Sequence, residues 1–184
     1  MNLRERLLDL LKKKAYTRGK VILTSGKESD FYIDCRPVTL HPEGAYLIGK
    51  LLFECLQDSQ ESVQGVGGMT MGADPIATAV SLTSFIEGKP VPAFIIRKEP
   101  KQHGRGLWIE GISNLPEGTA VAIVEDVVTT GGSTIRAIER AKEEGLKVVK
   151  VLALVDREEG GRDNLKKLGY HLESLFTRRD FLEN

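Results

Sequence analysis

Val121-Ala-Ile-Val-Glu-Asp-Val-Val-Thr-Thr-Gly-Gly-Ser-Thr134 is an apolar run that ends in two acids and turns through glycines into a helix. Residues 121–124 are apolar without interruption, the pattern of a strand buried on both faces of a parallel sheet. Glu125 and Asp126 then fall at its carboxyl end, where open α/β sheets gather their ligands. Two adjacent carboxylates there suit hydroxyl groups or a hydrated cation. Val127, Val128, Thr129, Thr130, Gly131, Gly132 and Ser133 lead into the amphipathic run 135–141, and the last five offer hydroxyls and bare backbone amides. Unpaired N–H groups at a helix start, with the macrodipole behind them, attract an anion such as a phosphate. The same letters also fit an ordinary strand-to-helix turn with a Ser/Thr cap, and it is the acid pair that turns the reading toward a site. The run has neither the Gly-Lys-Ser/Thr of a nucleoside-triphosphate loop nor a G-x-G-x-x-G fingerprint.

Outward from this run the chain alternates strand and helix. Leu3, Leu7, Leu10 and Leu11 recur at helical spacing and predict an N-terminal helix ending before Gly19. Residues 21–23 and 31–33 flank 24–27 as a hairpin, the centre of a small N-terminal hood over about 15–40. Pro42 opens a helix to about 57, residues 63–66 read as a strand and 75–85 as a helix. Residues 92–96, 121–124 and 148–155 supply three more strands, and 135–144 a helix. The expectation is an α/β fold in a single domain over 1–184, with a central parallel sheet, helices on both faces and right-handed crossovers.

Composition bounds the function. The 184 residues are 41% hydrophobic and 28% charged, ordinary for a globular chain with a sizeable core. Lys plus Arg equal Asp plus Glu at 26 each, so no overall field invites nucleic acid or a membrane. Cys35 and Cys55 have neither metal spacing nor a disulfide framework, which suits a reducing compartment. The start Met1-Asn-Leu-Arg-Glu-Arg6 is charged and amphipathic rather than signal-like, and no apolar run reaches spanning length. A cytoplasmic protein acting on small molecules is the expectation.

Two further segments carry charge. Arg97, Lys98, Lys101 and His103 place four potential cations within seven residues, interrupted by Glu99 and Pro100 and followed by Gly104. Proline and glycine predict a mobile loop over about 98–111, and clustered donors suit a polyanion, although a solvated surface loop has the same composition. His103 sits among cations that favour its neutral form, whereas His41, before Pro42, and His171, in a late apolar stretch, read as structural. Asp156-Arg-Glu-Glu-Gly-Gly161 follows the strand 148–155. There Arg157 offers a planar guanidinium that can pair with a carboxylate, or else is a surface arginine in a polar turn.

The run 121–134 resembles the phosphoribosyl pyrophosphate (PRPP) motif of type I phosphoribosyltransferases. With Ser25-Gly-Lys-Glu-Ser-Asp-Phe-Tyr-Ile-Asp-Cys-Arg36, Arg97-Lys-Glu-Pro-Lys-Gln-His-Gly104 and 156–161 in this order around it, the chain resembles the orotate phosphoribosyltransferases over roughly 3–176. That resemblance implies transfer of ribose 5-phosphate from PRPP to orotate, giving orotidine 5'-monophosphate and pyrophosphate in pyrimidine synthesis. It assigns the ribose hydroxyls to Glu125 and Asp126 and the 5-phosphate to Val127 through Ser133. Pyrophosphate falls to Arg97, Lys98, Lys101 and His103, and orotate to Thr129 and Arg157, with Phe31 and Tyr32 near the base. It makes Lys101, His103 and Asp126 the catalytic group. It also implies a homodimer in which the basic loop works in trans, and a Mg2+ cofactor held mainly by PRPP with no direct protein ligands. Many relatives carry lysine where Thr24 and Gly72 stand here, which leaves the contacts of the second loop to backbone amides. A purine or uracil phosphoribosyltransferase and a non-catalytic PRPP-sensing regulator share the motif and are the alternatives.

Overall fold

The computed structural model describes residues 1–22, 28–100 and 107–182. Helix α1 (Leu3–Lys14) starts from a reciprocal cap: Asn2 accepts from the Glu5 amide at 2.8 Å, and Glu5 accepts from the Asn2 amide at 3.0 Å. Strands β1 (Tyr16–Ile22) and β2 (Glu28–Ile33) then pair antiparallel as a separate two-stranded sheet. β1 begins five residues earlier than expected, because Tyr16 and Thr17 already pair with Ile33 and Tyr32. Short α2 (Arg36–Thr39) leads to α3 (Pro42–Gln57), β3 (Gly65–Met69), α4 (Asp74–Ile86) and β4 (Ala93–Ile96). After β5 (Ile109–Glu110) come β6 (Ala120–Val128), α5 (Gly132–Glu143), β7 (Lys147–Asp156), α6 (Gly161–Lys167), β8 (Leu172–Thr177) and α7 (Arg178–Leu182).

The main sheet has the order β5-β4-β3-β6-β7-β8, parallel throughout except for the antiparallel edge pair β4–β5. Its centre explains the apolar runs. In β6, Ala122 and Val124 join a core with Leu47, Leu52 and Ile76 of α3 and α4, while Val121 and Ile123 join a second core with Ala137 and Ile138 of α5. β7 divides in the same way, Leu152 and Leu154 on one side and Val151 and Ala153 on the other. Period-two alternation between two covered faces makes both faces apolar. Among the described residues no helix is long and apolar enough to cross a membrane.

Several expectations are corrected here. β6 does not end at Val124: its pairing with β7 continues through Val127↔Val155 and Val128↔Asp156, so the acids lie inside the strand and Val127 and Val128 are strand, not loop. The segment expected to be loop over 98–111 includes β5, whose Ile109 pairs with Ile96 and is buried. The strand expected at 63–66 is the run Gly65-Val-Gly-Gly-Met69, buried throughout. Its glycines mask it, and they are required: a Cβ on Gly67 would lie 2.3 Å from the Phe94 carbonyl oxygen, and one on Gly68 2.2 Å from that of Val124. Gly68→Ala should therefore destabilise the fold by about 3 kcal/mol, a fall in Tm of roughly 6–12 °C, read by calorimetry.

The hairpin is anchored to the far end of the sheet by aromatic contacts. Tyr16 lies 5.2 Å from Phe31, ring centre to ring centre, and Phe31 packs edge-on against Phe181 of α7 at 5.7 Å. Phe31 is thus a core residue, and its neighbour Tyr32 faces the opposite way.

Candidate active site

A cavity of about 360 Å3 opens at the carboxyl ends of β3 and β6, lined by Tyr32, Arg36, Gly72, Lys98, Asp126 and Ser133 among others. Glu125 also reaches it but is only 6% exposed. Burial, reinforced by the charge of Asp126, pushes its carboxyl up to about 8, while a hydrogen bond with Ser133 pulls the other way. Asp126 is half-buried, and its Oδ1 accepts from the Val127 amide at 2.9 Å. The strand therefore presents one buried acid that holds its proton at neutral pH beside one that faces the cavity.

Beyond the acids the chain turns through Thr129 and Thr130 to Gly131, whose φ of 81° is left-handed and suits glycine. Gly131 precedes α5 without any side-chain cap, so the first amides of that helix are left for an anion. The turn is braced from the next loop: the Gly161 amide donates to the Thr129 carbonyl at 2.9 Å, and Asn164 Nδ2 to that of Thr130 at 3.0 Å. Thr129 is half-buried and Thr130 exposed.

The structure brings Glu125, Asp126, Ser133 and Lys98 around one cavity. Arg97 instead pairs with Glu110 at 3.0 Å beside a second cavity of about 400 Å3, which shares Met69, Lys98 and Ser133 with the first. Lys101 and His103 lie outside the described residues, as does Thr24. Arg157 does not line the cavity. Its Nη2 contacts Glu159 at 2.7 Å and the Phe31 carbonyl at 3.3 Å, behind the hairpin, while its Nε is buried without a partner. Its backbone nonetheless starts beside Thr129, the amide of Arg157 donating to the Val128 carbonyl at 2.9 Å. The adjoining Asp156 holds the turn together, accepting from the Glu158 amide at 2.9 Å and pairing with Arg162 at 3.1 Å.

Sequence reasoning missed Asp34 and Arg36. They form a bidentate pair at 2.8 and 2.7 Å on the cavity rim, and the guanidinium holds the Asp34 carboxyl below its ordinary range. The Asp-x-Arg spacing was the available signal. Cys35 between them is buried, and burial with the nearby charges of Asp126 and Asp34 drives its thiol well up, so it is no nucleophile. The turn after β3 carries Thr70, whose hydroxyl donates to Asp74 at 2.7 Å, and a cis peptide between Thr70 and Met71. Among the described residues no group of three or more His, Cys, Asp or Glu side chains is placed to hold a metal.

The family profile of the phosphoribosyl transferase domain matches residues 38–169. The chain is 47% identical to the orotate phosphoribosyltransferase of Sorangium cellulosum, over 97% of this chain and 93% of that one. Its fold superposes on Mycobacterium tuberculosis orotate phosphoribosyltransferase in complex with Fe(III) dicitrate with a TM-score of 0.86 and 37% identity, covering 98% and 99% of the two chains. The same enzyme solved in complex with PRPP matches with a TM-score of 0.82 and 34% identity, covering 98% and 99%.

Proposed function

Because the chain belongs to the orotate phosphoribosyltransferases, we propose that the cavity at the end of β6 is where it meets PRPP. The protein transfers ribose 5-phosphate from PRPP to orotate, releasing pyrophosphate and forming orotidine 5'-monophosphate for pyrimidine synthesis. The observation that supports this site most directly is the acid pair opening into a cavity immediately ahead of the uncapped amides of α5.

In this reading the amides from Thr129 to Ser133 hold the 5-phosphate, which fixes the sugar at one end. Asp126 accepts from a ribose hydroxyl, and protonated Glu125 offers a hydroxyl of its own. As the bond from C1 to pyrophosphate breaks, positive charge grows on the sugar ring next to Asp126, and negative charge grows on the departing group next to Lys98. Lys101 and His103 add donors to that group. The orotate nitrogen takes the place of pyrophosphate at C1, so bonds made and broken balance without a protein nucleophile. Orotate is assigned to Thr129 and Arg157. For Arg157 to reach the ligand its guanidinium must exchange Glu159 for the orotate carboxylate, and its unpartnered Nε is a donor ready for that exchange.

Mg2+ fits as a cation carried by PRPP. The carboxylate and hydroxyl oxygens at the cavity suit a hard ion, and PRPP would bring the remaining oxygen ligands. When bound it offsets phosphate charge. A homodimer is proposed as well, with the basic segment acting in trans. Leu82, Phe85 and Ile86 form a ridge on α4 that is 61%, 73% and 71% exposed, an apolar surface of the kind a second copy covers. Two free cysteines are consistent with a reducing, cytoplasmic setting.

A direct test follows orotate absorbance with PRPP and Mg2+, with pyrophosphate measured in parallel and adenine, hypoxanthine and uracil as competing bases. Equimolar loss of orotate and release of pyrophosphate, with the other bases inert, is the expected result. Preference for another base, or binding of PRPP without pyrophosphate release, would overturn it.

A further inference from the structure

The two cavities meet at the start of α5, since Met69, Lys98 and Ser133 line both. The second runs along α5, and most of its charges are answered. Arg97 pairs with Glu110 at 3.0 Å, and Arg140 pairs with Glu143 at 2.5 Å while its guanidinium stacks over Trp108, 3.7 Å from the ring centre. Arg136, on the same wall, is different: among the described residues nothing forms a hydrogen bond or ion pair with it. Glu139, three residues on, is the partner a solvated surface arginine would take, and the two do not pair. The position is also unfavourable for a cation. α5 has no side-chain cap and no acid in its first turn, so Arg136, just beyond that turn, adds to an unanswered positive end, and Arg140 is a like charge four residues on. The side chain nonetheless folds back toward that end, its Nη1 standing 3.7 Å from where a Cβ on Gly132 would be.

An anion at the start of α5 offsets each of these repulsions. A phosphate monoester there presents three terminal oxygens, more than the amides of one helix end satisfy, and a guanidinium is the donor that meets two of them at once. We infer that Arg136 is a binding residue for the 5-phosphate, closing over it from the side of the second cavity while Asp126 holds the ribose in the first. This rests on the reading of the α5 start as the phosphate end of PRPP. Under it the sugar phosphate is recognised by a mobile charge as well as by fixed amides, and Lys98, at the junction of the cavities, is left to pyrophosphate.

The experiment measures binding of ribose 5-phosphate and of pyrophosphate separately, by calorimetry, to wild type, Arg136→Ala and Arg136→Lys. Arg136→Ala should weaken ribose 5-phosphate about tenfold, the effect of losing one hydrogen bond to a charged group, and leave pyrophosphate within about twofold. Lysine keeps the charge but not the planar fork, so Arg136→Lys should recover part of the loss and bind about threefold more weakly than wild type. In turnover, KM for PRPP should rise about tenfold in Arg136→Ala with kcat within about twofold, because the 5-phosphate contact is the same before and during bond breaking. Melting separates this from a structural role: without ligand, Arg136→Ala should melt no lower than wild type, since it removes a cation from the positive end of α5. Wild-type affinity of Arg136→Ala for ribose 5-phosphate would overturn the proposal, as would equal losses for ribose 5-phosphate and pyrophosphate, or a loss accompanied by a lowered Tm. Should wild type itself bind no ribose 5-phosphate, the functional reading fails and the proposal with it; equal binding by wild type and Arg136→Ala sinks the proposal alone.

Discussion

Lys101→Ala should lower turnover about 100-fold while leaving PRPP affinity within about threefold, a separation seen when a donor serves chiefly the transition state. The reason lies in the cations the cavity already has. Arg36 is tied to Asp34 through Nε and Nη2, and Arg97 is paired with Glu110. Among the described residues lining the acid cavity, Lys98 is the cation with no ion pair. A departing pyrophosphate is a polyanion, and one ammonium leaves most of its developing charge unanswered. The 5-phosphate, by contrast, is met by backbone amides at the start of α5, which the substitution does not touch. Steady-state turnover and calorimetric PRPP binding on the same preparation separate the two effects. Hybrid dimers carrying Lys101→Ala in one subunit and Asp126→Asn in the other extend the test. If the lysine acts in trans, each hybrid contains one intact site and regains activity; if it acts in cis, neither site is whole. Turnover equal to wild type in Lys101→Ala would remove the segment from the mechanism.

What was legible in the chain follows from where energy is local. The strand ahead of the acids and its partner β7 were readable because both faces of the sheet are covered, so hydrophobicity runs unbroken. Pro42 and Pro75 marked helix starts because proline fits the first turn. β3 was misplaced by two residues because close approach to its neighbours requires glycine, the residue that otherwise argues against a strand. β8 escaped notice for the opposite reason: Glu173 and Ser174 interrupt Leu172, Leu175 and Phe176, the mixed pattern of an edge strand with one covered side. The acid pair was found by its place at a strand end, yet its extension into β6 depended on pairing with Val155 and Asp156, which is long-range. The Asp34–Arg36 clamp is local, the partners standing two residues apart, but its place on the rim beside Asp126 depends on the long-range packing of the hairpin against β6. Arg157 was recognised as a guanidinium at a strand end, but its engagement with Glu159 and the Phe31 carbonyl appears only once the hairpin packs over it.

The two acids should respond very differently to removal of charge. Asp126→Asn should lower kcat/KM for PRPP about 100-fold, whereas Glu125→Gln should stay within about threefold at pH 7. Asparagine keeps the acceptor for the Val127 amide and loses the charge that faces the sugar, so its cost reports the charge itself. Glutamine at 125 resembles the protonated acid already present, because burial has raised that carboxyl to about 8. The sign of the pH dependence follows. In the unfolded chain the same group titrates near 4.5, so the folded state holds a proton that the unfolded state has released. Stability from this group is fully present below 4.5 and is lost as pH rises through about 8. Melting curves of ligand-free protein between those limits should therefore show wild type losing stability relative to Glu125→Gln as pH rises. The kcat/KM profile of wild type should carry an inflection near 8 that the glutamine variant lacks, since that profile reports groups of the free enzyme. Equal damage from the two substitutions at pH 7, with parallel melting profiles, would mean that both acids are ionised in the resting site and share the ribose contact.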